Sequence, residues 1–203
     1  MNPLKDQYDS LYASGVIFGE GKPIEAVTKL HTYLQGGMVL DVGRSDGRNA
    51  LHLAEQGFVV TVTAISEVGL EKVSSTAKGK GLDITTIVRD VVNDGIDGMY
   101  DAIISSFVFH HIEEESVQKI VALMQEHTKT NGVHVIATFA NSGGLFERNI
   151  TSGRFYPSEA VLRKLYASWN IEELESKETL TLAHDKEGRR MKNVALSLVA
   201  RKP

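Results

Sequence analysis

Short apolar runs rich in β-branched residues alternate along this chain with longer stretches whose apolar positions recur at helical spacing. Met38 to Val42, Val59 to Ala64, Ile84 to Val88, Tyr100 to Ser105 and Val133 to Thr138 are continuous enough to predict strands buried on both faces. Pro23 to Leu34, Asn49 to Gln56, Val68 to Gly79 and Glu114 to Thr128 predict helices between them. In the last of these, Val117, Ile120, Val121 and Met124 share one face. Strands that alternate with helices need crossover connections, so they lie parallel in one sheet with helices on both faces. The pattern changes after residue 140. A loop containing Gly and Ser, Asn141 to Gly153, leads to Pro157-Ser158-Glu159, which opens a helix through Ala167 with Leu162, Leu165 and Tyr166 on its apolar side. Two strands follow, Glu172 to Leu182 and Met191 to Ala200, joined through Asp185-Lys186-Glu187-Gly188, which has the turn chemistry of a hairpin. The expected fold is α/β: a seven-stranded, mostly parallel sheet with helices on both faces and a C-terminal antiparallel hairpin.

Composition limits what such a fold does. With 203 residues, 42% of them hydrophobic and no repeats or linkers, residues 1–203 are expected to form a single domain with an ample core. The 22 Lys and Arg against 26 Asp and Glu give a net charge of −4, which disfavours nucleic acid or an anionic membrane as partner. There is no cysteine, so a disulfide framework, a thiolate zinc site and a cysteine nucleophile are excluded. Met1 to Gln7 lacks the pattern of a cleavable leader and no apolar run reaches the length a bilayer needs, so a soluble, cytoplasmic protein, monomer or homodimer, is expected.

The chemistry concentrates in the loop after the first strand, Asp41-Val42-Gly43-Arg44-Ser45-Asp46-Gly47-Arg48-Asn49. Glycines at this strand end let the backbone approach a nucleotide or nucleoside ligand, and the following helix offers unpaired N–H groups. The spacing is not the Gly-x-Gly-x-x-Gly of dinucleotide binders, so a nicotinamide, flavin or nucleotide-sugar reading loses its fingerprint. The motif resembles instead the Asp-x-Gly-x-Gly-x-Gly signature of class I S-adenosylmethionine-dependent methyltransferases, which have a Rossmann-like fold. Further phrases, Tyr8 to Gly19, Leu40 to Leu53, Glu55-Gln56-Gly57-Phe58, Ile65-Ser66, Tyr100-Asp101 and Leu162-Arg163 to Trp169, are similar to the small tellurite-resistance methyltransferases within that class.

The resemblance implies S-adenosylmethionine as cofactor and S-adenosylhomocysteine as product. It assigns cofactor contacts to Asp41, Gly43, Ser45 and Gly47 around the methionine end, to Ile65 and Ser66 after the second strand, to Asp90 and Val91 beside the adenine, and to Ser106 after the fourth strand. Three positions depart from the family. Arg44 and Ser45 stand where the relatives carry small residues, and Ala64 stands where an acid takes both ribose hydroxyls, near the roughly 20-residue offset of Rossmann-like folds. Loss of a charged hydrogen bond there is worth about 1.5 to 3 kcal/mol.

His110-His111 follows Phe109, and adjacent histidines do not face one ion on a helix or strand, so no metal site is expected. In related methyltransferases a similar aromatic-His-His stretch lines the pocket near the methyl donor, which makes His110 and His111 candidates for the catalytic site. Arg190 on the hairpin matches an arginine of the tellurite-resistance group and is the third catalytic candidate. Arg148 and Arg154 fall in a segment, residues 141–156, expected to close over the cofactor together with residues 1–22. The group's His-Arg pair before the hairpin aligns with Leu182-Ala183, with His184 displaced, which weakens an oxyanion acceptor. The leading expectation is methyl transfer to a small molecule. The alternative is a weakened methyltransferase fold serving as a binding or regulatory module. Arg44 separates the two by sign. As a ligand of the methionine carboxylate, Arg44→Ala is expected to weaken cofactor binding by about 1.5 to 3 kcal/mol in calorimetry, whereas binding that appears only in the variant would make the arginine a plug.

Overall fold

The computed structural model describes residues 3–15, 21–43, 46–149 and 152–203. The apolar runs become β1 (Met38–Val42), β2 (Val59–Ala64), β3 (Ile84–Val88), β4 (Tyr100–Ser106) and β5 (Thr128–Gly143), followed by β6 (Asn170–His184) and β7 (Arg190–Arg201). The sheet order is β3-β2-β1-β4-β5-β7-β6. The first five strands are mutually parallel, and β7 inserts antiparallel between β5 and β6. The connecting turn is fixed by Asp185, whose Oδ1 accepts from the backbone N–H groups of Glu187 and Arg189 at 3.0 and 2.9 Å, with Gly188 at φ +78°.

Both faces of the sheet are covered, as alternating side chains require. On one, Val117, Ile120, Val121 and Met124 of α7 (Glu114–Glu126) join Leu162 of α9 (Glu159–Leu165) and Tyr166 over Leu40, Val42, Ile103 and Ile136. On the other, Val27, Leu30, Leu53, Leu70 and Val73 cover Val39, Val60, Val62, Ile104 and Val135. They come from α2 (Glu25–Thr28), α3 (Leu30–Tyr33), α4 (Arg48–Glu55) and α5 (Glu67–Gly79). The strand order reverses between β1 and β4. At such a switch point the crossovers diverge to opposite faces and leave a crevice beyond the strands' carboxyl ends.

The structure corrects several element boundaries. The helix expected over Pro23 to Leu34 is two short helices, because the Thr28 and Thr32 hydroxyls donate back to Glu25 O and Lys29 O and the amides of Val27 and Thr32 bond three residues back rather than four. The loop expected over Asn141 to Gly153 begins inside β5 and contains α8 (Gly144–Asn149). Residues 3–13, given no element from the sequence, form α1 (Pro3–Ala13), and α6 (Val91–Asp94) was likewise unforeseen.

Where α7 gives way to β5, Thr128 Oγ1 donates to Met124 O at 2.7 Å and also meets His134 Nε2 at 2.7 Å, while His134 Nδ1 meets the Tyr166 hydroxyl at 2.9 Å. With the threonine proton committed to the carbonyl, the ring donates from Nε2 and accepts at Nδ1, so it is neutral. Burial lowers the His134 pKa from 6.5 to about 3. The unfolded chain therefore binds a proton that the folded chain refuses, and stability is lost as pH falls from 6.5 toward 3. Denaturant unfolding at pH 7 and pH 5 is expected to show His134→Gln losing less stability between the two than the wild type, by up to about 2 kcal/mol. Identical pH dependence in both proteins would place the ring's proton elsewhere.

Candidate active site

The crevice at the β1/β4 switch point is a cavity of about 390 Å³, within the range that holds small ligands. Gly43 ends β1 at φ +108°, and a Cβ there would fall 2.1 Å from Val108 Cγ2, so only glycine lets this loop pass. Ala64, Ile65 and Ser66 follow β2, Asp90 and Val91 follow β3, and Phe107 and Val108 follow β4; all line the cavity. Phe107 holds a φ of +55°, a left-handed conformation costly for an aromatic residue, with its N–H bonded to Ala137 O at 2.7 Å. The backbone bends sharply here and presents the Phe107 side chain at the cavity wall.

Two of the cavity residues have roles within the scaffold. Ser66 Oγ caps α5, accepting from Gly69 N at 3.0 Å, and donates to Asp9 Oδ1 of α1 at 2.6 Å. Asp90 caps α6 through Val92 N and accepts from Asn93 Nδ2. Arg89, which among the described residues is the cavity's one lysine or arginine side chain, is paired with Asp97 at 2.5 Å.

Asp41, Gly47 and Ser106 lie behind the cavity wall rather than on it. Gly47 takes φ +76° at the start of α4, and a Cβ there would lie 2.8 Å from Val73 Cγ2. Ser106 Oγ accepts from Asn49 Nδ2 at 3.1 Å while Asn49 Oδ1 accepts from Ile24 N, so Asn49 ties the loop to β4 and to the segment before α2. Arg44 and Ser45 lie outside the described residues. Asp41 is only 2% exposed, and burial pushes its carboxyl up from 3.8 to about 8, with Asp46 adding to the shift and Arg48 opposing it. Asp41 Oδ1, Thr63 Oγ1 and Ser105 Oγ, near the ends of three adjacent strands, are buried without a hydrogen-bond partner. Buried polar groups are nearly always paired, and a carboxyl oxygen left without a partner at this place fits a cationic donor, which would favour its ionised form.

Of the three catalytic candidates the structure brings one to the cavity. His111 lines it, and its Nε2 lies 2.6 Å from the hydroxyl of Tyr8 on α1. His110 is buried behind it, with ring centroids 3.9 Å from His111 and 4.7 Å from Phe139. Arg190 is a correction. It lies on the hairpin with Nε donating to Thr181 O at 2.9 Å, and it does not line the cavity. The expected closing arginines are also elsewhere, Arg148 at His184 O and Arg154 in a bridge with Glu113, and no described residue of 141–156 reaches the cavity. Sequence reasoning missed Leu4, Tyr8 and Tyr12, which come from α1 and line the cavity. Their spacing of four residues was the signal that would have found them.

Solved structures of methyltransferases share this arrangement. The crystal structure of TehB from Haemophilus influenzae superposes with a TM-score of 0.76 at 25% identity, over 98% of this chain and 67% of that one. Magnesium protoporphyrin IX methyltransferase of Synechocystis PCC 6803, with bound S-adenosylhomocysteine, gives 0.75 at 18% identity over 98% of each chain. The fold is thus that of the class I methyltransferases. The family described as tellurite resistance protein TehB matches residues 5–198, and this chain belongs to it. A probable S-adenosyl-L-methionine-dependent methyltransferase TehB of Haemophilus influenzae (strain 10810) is 32% identical over 166 residues, 81% of this chain. This chain spans 57% of that protein's length. A ubiquinone biosynthesis O-methyltransferase of Rickettsia felis is 31% identical over 115 residues, 57% of this chain and 46% of the relative. Among the described residues, no helix is long and apolar enough to cross a membrane.

Because the folded Asp41 carboxyl titrates far above its unfolded value, its ionisation opposes folding, and the stability it allows at low pH is lost as pH rises from 3.8 through 8. Asp41→Asn is expected to stabilise the ligand-free protein at pH 7 by up to about 4 kcal/mol, with the gain vanishing near pH 4. A variant no more stable than wild type at pH 7 would show the carboxylate to be satisfied.

Proposed function

We infer that the chain binds S-adenosylmethionine in the switch-point cavity and transfers its methyl group to a small-molecule acceptor. The observation that carries this reading is the buried Asp41 with its unpartnered oxygen, set beneath a loop that Gly43 alone allows. When bound, the cofactor supplies a methyl group already activated on a sulfonium, so the protein needs to align acceptor and methyl and to exclude water. Asp41 supplies the negative charge for the ammonium of the methionine end, the Gly43 and Gly47 backbone shapes the path around it, and Ser45 is proposed as a further cofactor contact from the motif alone. Ile65 and Ser66 face the ribose, and Ala64 leaves the acid of that station missing. Asp90, Val91 and the neighbourhood of Ser106 complete the adenine and methionine walls. His111 faces the acceptor, with His110 packed behind it. The methyltransferases named among the relatives and structural neighbours support the same reading, and residues 1–22 are proposed to act as a lid because α1 already lies over the cavity. We assign residues 1–203 to one domain built around this single sheet.

Calorimetry with S-adenosylmethionine and S-adenosylhomocysteine tests this directly. Wild type is expected to bind both with proton release at pH 7, since a bound cation favours ionised Asp41. Asp41→Asn is expected to weaken binding at least about tenfold, the opposite sign from its effect on stability. Ala64→Asp is expected to tighten it by up to about tenfold by restoring an acid at the ribose. No binding by the wild type would move the chain to the binding or regulatory module. Unchanged affinity in Ala64→Asp would remove Ala64 from the ribose station.

A further inference from the structure

The residues lining the cavity include Leu4, Tyr8, Phe107, His111, Ile112 and Ile120, an aromatic and aliphatic surface. Within it a single contact couples two groups able to carry a proton: the Tyr8 hydroxyl and His111 Nε2, 2.6 Å apart, with the rings edge to face at 5.4 Å. The two come from different elements, Tyr8 from α1 and His111 from the 3-10 turn after β4. Among the described residues, Arg89 is the cavity's one guanidinium or ammonium, and Asp97 already holds it. An oxyanion acceptor needs uncommitted cations, and this wall presents aromatic faces and a proton path instead.

We propose that Tyr8 and His111 form a proton relay that ionises a neutral hydroxyl acceptor carried on an aromatic ring. The idea rests on the methyltransferase reading above and deepens it by naming the acceptor class. The acceptor O–H bond breaks and its proton passes to Tyr8 Oη as the tyrosine's own proton moves to His111 Nε2. The electron pair stays on the acceptor oxygen, the imidazole becomes imidazolium, and no oxidant or further reactant is required. The resulting phenolate is the nucleophile, and His111 later returns the proton to water. Tyr8 makes the relay depend on α1, so the base is assembled only when that helix is docked.

The test needs no turnover. 4-Nitrophenol is yellow only as its phenolate, so it is added to the S-adenosylhomocysteine complex at a pH where the free phenol is protonated and colourless. Wild type is expected to bind it as the yellow anion. Tyr8→Phe and His111→Gln are expected to bind it still, by calorimetry, with the ionised fraction reduced about tenfold, one pKa unit. S-Adenosylhomocysteine affinity, measured in each variant, reports whether the cavity has kept its shape. Nitrophenol bound without colour by the wild type, not bound at all, or ionised equally by both variants overturns the relay. Failure of the wild type to bind S-adenosylhomocysteine overturns instead the reading on which the relay rests.

Discussion

The structure depends on a carboxylate placed where water cannot reach it. Asp41 sits at the centre of the sheet, one residue before the end of β1, between β2 and β4 in register with Val62 and Ile104. Apolar neighbours on both sides make its charge costly, and its unpartnered oxygen adds the price of an unmet acceptor. A sheet built for stability alone would carry Val or Asn there. The rest of the site follows from tolerating this group: Gly43 must turn away with positive φ, Val108 must close against it, and α4 must start at Gly47 in a left-handed conformation. A fold holds such strain only where the surrounding packing over-determines it, and the two core clusters that sandwich β1 do so.

How much of this was legible in the sequence varied with how local the signal was. The strands were readable because burial on both faces leaves continuous β-branched runs, and the hairpin because Asp185 and Gly188 have one conformational use each. α1 was not, because its cavity-facing stripe is short, Leu4, Tyr8 and Tyr12, and its partner is a cavity rather than a core. The split between α2 and α3 depended on hydroxyls choosing backbone carbonyls, a competition that propensity averages hide. At the site, the motif pointed to Asp41, Gly43 and Asp90, of which the structure puts Gly43 and Asp90 on the cavity lining. Arg190 was misplaced for a different reason. A family pattern gives an arginine's position along the hairpin, but whether it reaches the cavity depends on cross-strand partners, here the Thr181 carbonyl.

The family membership and the geometry constrain different things. Membership in the TehB family rests on nearly the whole of this chain, and the chain spans little more than half of the curated relative it matches. The cavity is therefore the better guide to chemistry. In the proposed reading, the end assigned to the cofactor departs from the family at Arg44, Ser45 and Ala64, while the end assigned to the acceptor is aromatic. A site can change acceptor without changing cofactor because the two ends are built by different elements: strand ends for one, α1 and the turn at Phe109–His111 for the other.

Those two ends are nevertheless joined through one hydroxyl. Ser66 lines the cofactor end, caps α5 and donates to Asp9, and Asp9 is one residue from Tyr8. The Lys5 ammonium and the Ser66 hydroxyl hold the Asp9 carboxyl below its usual range, and Lys72 of α5 reaches the Tyr12 carbonyl one turn further along. These contacts set the height of α1 over the cavity and so the reach of the Tyr8 hydroxyl. A ligand that moved Ser66 would move Asp9, and with it the ring against His111. The missing acid at residue 64 then has a structural correlate: with no side-chain carboxylate at the end of β2, Ser66 bonds the one that α1 brings. In the proposed function, cofactor recognition and closure of the acceptor end would be parts of one hydrogen-bonded connection rather than separate devices.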